Sequence, residues 1–94
     1  MADAGGHLLV VDDEPDVREL VGLAAEACGW TCDGAGTVAE VDRRMPGDYD
    51  LVLVDLVLGE EDGASVLELL ARRGTDAEVL LMSGGAEQRF DQAA

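Results

Sequence analysis

The 94-residue sequence predicts an α/β fold, an open parallel sheet with helices on both faces. Two observations carry that expectation. Short continuous apolar runs recur, and each ends abruptly in a polar residue. Leu8-Leu9-Val10-Val11 runs into Asp12-Asp13-Glu14, Leu51-Val52-Leu53-Val54 into Asp55, and Val79-Leu80-Leu81-Met82 into Ser83. Runs without alternation indicate strands covered on both faces, the condition of a parallel sheet. Helical periodicity fills the intervals, and strands alternating with helices close into one sheet through right-handed crossovers.

Taken in order, the first run is followed by Pro15, suited to a first helical turn. Val17, Leu20, Val21, Ala24 and Cys28 then fall on one predicted core face, and Gly29 supplies a stop. Trp30-Thr31-Cys32-Asp33 is a weaker strand. Thr37 and Glu40 have the spacing of a capping box, with Val41 and Met45 on one face before Pro46-Gly47 ends the helix. Asp62 is placed to cap a third helix with core face Val66, Leu67, Leu70 and Ala71, ending near Gly74. Residues 86–94 begin a fourth. No linker or repeat interrupts the series, so residues 1–94 read as one domain.

Composition narrows the function classes. Apolar residues make up 48% of the chain and aromatic ones 3%, so the core is built from Leu, Val and Ala, with Trp30, Tyr49 and Phe90 as the large rings. The formal charge is −15, and all six basic residues are arginines. Such a surface repels phosphate backbones and anionic lipid heads, which argues against direct nucleic-acid or membrane binding. Most of the acidic excess reads as a solvated face. No signal peptide or long apolar span is evident, and the expected location is cytoplasmic with reduced thiols. Cys28 and Cys32 are expected to be small buried hydrophobes, since a zinc site would need more ligands than these and His7.

In an open parallel sheet the loops after the strands gather at one edge, where ligands bind. Asp12, Asp13, Asp55 and Ser83 are delivered there. Three converging carboxylates repel one another and call for a positive partner. A hard divalent ion with oxygen ligands answers that need, and Mg²⁺ suits one or two carboxylates plus waters and a phosphate oxygen.

Three motifs in order, Val10-Val11-Asp12-Asp13-Glu14-Pro15, Asp55-Leu56-Val57-Leu58 running into Glu61-Asp62-Gly63, and Leu81-Met82-Ser83-Gly84, give the chain from His7 to about Asp91 its likeness to a family. It resembles the receiver domains of two-component (phosphorelay) signal transduction. The resemblance implies a flavodoxin-like sheet of strand order 2-1-3-4. It implies Asp55 as phosphoacceptor for a phosphoryl group from a histidine kinase or phosphotransfer protein. It also implies Mg²⁺ held by Asp12, Asp13, Asp55 and the backbone carbonyl of Val57, with Ser83 as the switch hydroxyl.

The likeness has departures. Receivers usually carry a lysine on a fifth strand, whereas this chain contains no lysine and is expected to stop short of the fifth strand and helix. Position 59 is Gly where the family usually has proline. An apolar fourth-strand edge at Val79 to Met82 invites pairing with a second copy. A non-phosphorylated interaction or dimerisation module is therefore the alternative to the phosphoacceptor. A phosphohydrolase of the haloacid-dehalogenase type fits less well, because Asp55-Leu56-Val57 lacks its Asp-x-Asp. No conventional enzyme activity is expected beyond self-phosphorylation and dephosphorylation.

Overall fold

The computed structural model describes residues 5–45, 47–55, 57–58 and 61–82. Strands β1 (His7–Val11), β2 (Thr31–Ala35) and β3 (Leu51–Asp55) are followed by two-residue strands β4 (Val57–Leu58) and β5 (Glu61–Asp62), and then by β6 (Glu78–Met82). Helices α1 (Pro15–Ala27), α2 (Val38–Arg44) and α3 (Gly63–Arg73) connect them. The main sheet is parallel in order β2-β1-β3-β6. This is the expected 2-1-3-4, with β6 as the fourth long strand. The antiparallel pair β4-β5 was not expected, because two apolar residues are too few to read as a strand. Ser83 and the fourth-helix candidate, residues 86–94, lie outside the described residues.

The apolar runs meet their purpose in β1, where Leu8 to Val11 are all buried between two layers. On one face Leu9, Val11, Val52 and Val54 pack against Val41 of α2, Met45 just past its end, and Val66, Leu69 and Leu70 of α3. On the other face lies α1.

Local signals mostly act as expected. Thr37 Oγ1 accepts the Glu40 N–H at 3.1 Å, half of a capping box. The Glu40 carboxylate reaches one residue further back than the motif requires and accepts the Gly36 N–H at 2.6 Å. Gly29 and Gly74 end α1 and α3 with φ of +83° and +69°, conformations that L side chains rarely adopt.

Three expectations need correction. The buried stripe of α1 centres on Ala25, with Val17 and Val21 half-buried, whereas Leu20 and Ala24 are exposed. The helix is rolled so that one flank, rather than the whole apolar arc, faces β1 and β2. Cys28 lies just past the end of α1 and is exposed; only Cys32 is partly buried, and burial, ahead of Asp33 and Glu26, pushes its thiol pKa up. On α3, Leu69 is buried and Ala71 is exposed, while Val66, Leu67 and Leu70 face inward as expected.

A polar clamp closes the edge of the sheet where β1 and β3 begin. The Tyr49 ring stacks on His7 with centroids 4.6 Å apart and planes 8° from parallel. Tyr49 Oη donates to Asp33 Oδ2 at 2.9 Å, His7 Nε2 lies 3.2 Å from the same oxygen, and the His7 N–H donates to Asp50 Oδ2 at 2.8 Å. Burial first, then the Asp33 hydrogen bond and charge, push the phenol up to about 12. A folded pKa above the ordinary value of about 10 means this stabilisation is complete below pH 10 and is lost as pH rises through 12. Urea titrations should therefore show a loss of about 2–3 kcal/mol between pH 10 and 12. Tyr49→Phe should lack that step, and an identical loss in the variant would disprove the assignment.

Candidate functional site at the carboxyl edge of the sheet

β1 and β3 end side by side, with Val11 in register with Val54. That register places Asp12 and Asp13, just past β1, beside Asp55, the last residue of β3. One carboxylate oxygen from each of the three lies within 4.8 Å of the others. Asp12 is 5% exposed, Asp55 is half-buried and Asp13 is exposed, so the cluster opens from a dry floor toward solvent.

Asp12 is fixed from three sides, twice through its backbone and once through its carboxylate. Its N–H donates to the Ala35 carbonyl at 3.0 Å, continuing the β1-β2 ladder by one bond. Its Oδ1 accepts the Glu14 N–H at 2.9 Å, a turn that leads the chain into α1. Its carbonyl accepts Arg18 Nη1 at 2.7 Å. Burial is the largest cause of a raised Asp12 pKa, opposed by the Glu14 N–H and reinforced by the charge of Asp55, a carboxyl hydrogen bond with Asp55, and the charge of Asp13. The carboxylates are held together against their own repulsion.

This donor set fits a hard divalent cation. All three side chains offer carboxylate oxygens, the type Mg²⁺ prefers, and a cation would relieve the repulsion that raises Asp12. Val57 lies two residues beyond Asp55 and pairs with Asp62. Ser83 lies outside the described residues, next after Met82, whose register partner is Asp55. Arg18 went unnoticed in the sequence. Its partner is a backbone carbonyl, which leaves no trace in residue type or spacing.

Comparison with known proteins identifies the family of the chain. The family model "Response regulator receiver domain" matches residues 8–94. The chain is 35% identical over 80 residues to the probable transcriptional regulatory protein TcrX of Mycobacterium tuberculosis, covering 81% of this chain and 33% of that protein. It is 31% identical over 86 residues to the sensor kinase CckA of Brucella abortus, covering 88% of this chain and 9% of that protein. Among solved structures, the response regulator TrrA of Thermotoga maritima in complex with Mg²⁺ and beryllium fluoride superposes with a TM-score of 0.78 at 31% identity. That match covers 92% of this chain and 76% of that one.

A doubly covered parallel sheet with clustered carboxylates at its carboxyl edge defines a signalling module of the receiver class. The chain belongs to the response-regulator receiver domain family of two-component systems. It spans about a third of the length of the transcriptional regulators it matches. Among the described residues, no helix is long and apolar enough to cross a membrane.

Proposed function

We propose that this domain is a phosphoacceptor switch in which Asp55 takes a phosphoryl group from a histidine-kinase or phosphotransfer-protein phosphohistidine. The observation that carries the reading is the convergence of Asp12, Asp13 and Asp55 at the sheet edge. An Asp55 carboxylate oxygen attacks phosphorus, and the phosphorus–nitrogen bond of the donor breaks. The electron pair returns to the imidazole nitrogen, which takes up a proton, and an acyl phosphate remains on Asp55.

Asp12, Asp13, Asp55 and the Val57 carbonyl are the proposed Mg²⁺ ligands. A bound Mg²⁺ supplies neutralisation of the phosphoryl oxygens. Asp12, locked by Glu14 and Arg18, keeps its carboxylate aimed without reorganisation. Ser83 is the proposed switch hydroxyl, donating to a phosphoryl oxygen after transfer. The change at Asp55 then alters partner binding, and a cytoplasmic setting suits such a donor.

The test is incubation of the chain with Mg²⁺ and acetyl phosphate, read by intact mass. Addition of one phosphoryl group per chain is expected; no addition would refute the reading. Metal binding has its own check. At Mg²⁺ about tenfold above its dissociation constant, stability should rise by about 1.4 kcal/mol. Asp13→Asn should remove most of that gain, and an unchanged urea midpoint in the parent chain would exclude the site.

A second reading rests on β6, where Leu80 and Leu81 are 53% and 50% exposed. Pairing of two β6 edges would make the domain a dimerisation module independent of phosphorylation. Sedimentation yielding only monomer at high micromolar concentration would rule it out.

A further inference from the structure

Half of the chain's six arginines, Arg18, Arg43 and Arg44, line one cleft of about 490 Å³ beside the edge strand β2, together with Gly34 and Glu40. In a chain of formal charge −15 this is a concentration of positive charge against the general trend. We infer that the cleft is a binding site for a small phosphate-bearing anion, separate from the carboxylate cluster.

Two of the three arginines are held in place by neutral groups. Arg18 Nη1 donates to the Asp12 carbonyl at 2.7 Å, and Arg44 Nε donates to the Gly34 carbonyl at 3.3 Å. Among the described residues, the side-chain ion pairs are His7–Asp33 and Arg73–Asp42, and neither draws on these three guanidiniums. Among the described residues Glu40 is the one carboxylate in the lining, and its Oε1 already accepts the Gly36 N–H at 2.6 Å. Among the described residues, three arginines thus share the lining with one partly committed carboxylate, and guanidinium N–H groups are the forks that match phosphate oxygens.

The floor is shaped for this. A Cβ at Gly34 would sit 3.1 Å from Arg18 Cδ, and one at Gly36 would sit 2.8 Å from Arg18 Nη1. Bare backbone at these two positions lets the Arg18 side chain lie across β2 and bring its charge from α1 to the cleft.

Size and surroundings select the ligand. The volume lies within the range of small-molecule sites and exceeds the needs of a lone phosphate ion. Among the described residues no aromatic side chain lines the cleft, so these offer no stacking platform for a base. Surface charges more than about 8 Å away are largely screened at physiological salt. A compact anion therefore feels mainly the arginines, while an extended polyanion would meet the acidic surface as well.

The experiment uses inorganic pyrophosphate, titrated into the full chain with EDTA present and read by ¹⁵N NMR at constant ionic strength. EDTA removes any metal-mediated binding at the carboxylates, so failure here leaves the Asp55 reading untouched. Saturable shifts are expected at Gly34, Gly36, Glu40, Arg43 and Arg44. The double variant Arg43→Gln/Arg44→Gln should bind at least about tenfold more weakly. Gly36→Ala, which crowds Arg18 while keeping every charge, should weaken binding too. No saturable shift up to about 10 mM, or equal affinity in the double variant with an unchanged NMR fold signature, would overturn the inference.

Discussion

Asp55→Ala is expected to abolish phosphoryl uptake from acetyl phosphate, lowering the yield by at least about a hundredfold. The reaction needs an ionised oxygen nucleophile with room for in-line approach, and alanine offers none. The neighbours are poor substitutes. Asp12 is almost fully buried and its Oδ1 is engaged by the Glu14 N–H. Asp13 is exposed and, two residues past the end of β1, is one of the proposed metal ligands rather than the acceptor.

The same substitution removes one charge from a mutually repulsive set and leaves the β3-β6 backbone pairing in place. Metal-free Asp55→Ala should therefore unfold at an equal or higher urea concentration than the parent chain. Loss of uptake with that stability retained separates chemistry from folding. Undiminished uptake in the variant would move the acceptor elsewhere.

The second large effect is on stability. Leu9→Ala should destabilise the domain by about 2–5 kcal/mol. Leu9 is fully buried in β1, between β2 and β3, in the cluster formed with α2 and α3. Folds of this size hold roughly 5–14 kcal/mol in total, so the loss is a large share. The melting temperature should fall by roughly 10–25 °C. Leu23→Ala is the matched comparison, because Leu23 is 59% exposed on α1 and its truncation should shift melting little. Equal effects at the two positions would show that the α2-α3 face is not the principal core.

These two positions also mark what was legible in the sequence. Leu9 was assignable because a strand covered on both faces must be apolar throughout, and the run has no alternative role. Leu20 was misassigned because a 13-residue helix can present several overlapping apolar stripes. Which stripe turns inward depends on how much of the sheet the helix covers, a tertiary quantity. Cys28 is exposed for a simpler reason: α1 ends at Ala27, one residue before the apolar spacing reaches it.

At the candidate site, Asp12 and Asp55 stand out because each comes where an apolar run ends, and Asp13 because it is next in sequence to Asp12. A lone carboxylate there is too costly to be incidental. The β4-β5 pair and the Arg18 contact were hidden, since backbone partners carry no residue signature. Membership of the receiver family came from three short motifs in order, and the sheet order and the relatives bear it out.

Arg18 has a mechanical meaning beyond its charge. Rooted in the first turns of α1, it passes over the bare backbone of β2 and ends on the carbonyl of Asp12. It is a tie-rod between a helix on one face and the loop that carries the carboxylates. Sliding of α1 along the sheet must stretch or break this tie. A displacement of α1 would thus reach Asp12 by two routes, through Arg18 and through the short turn at Glu14.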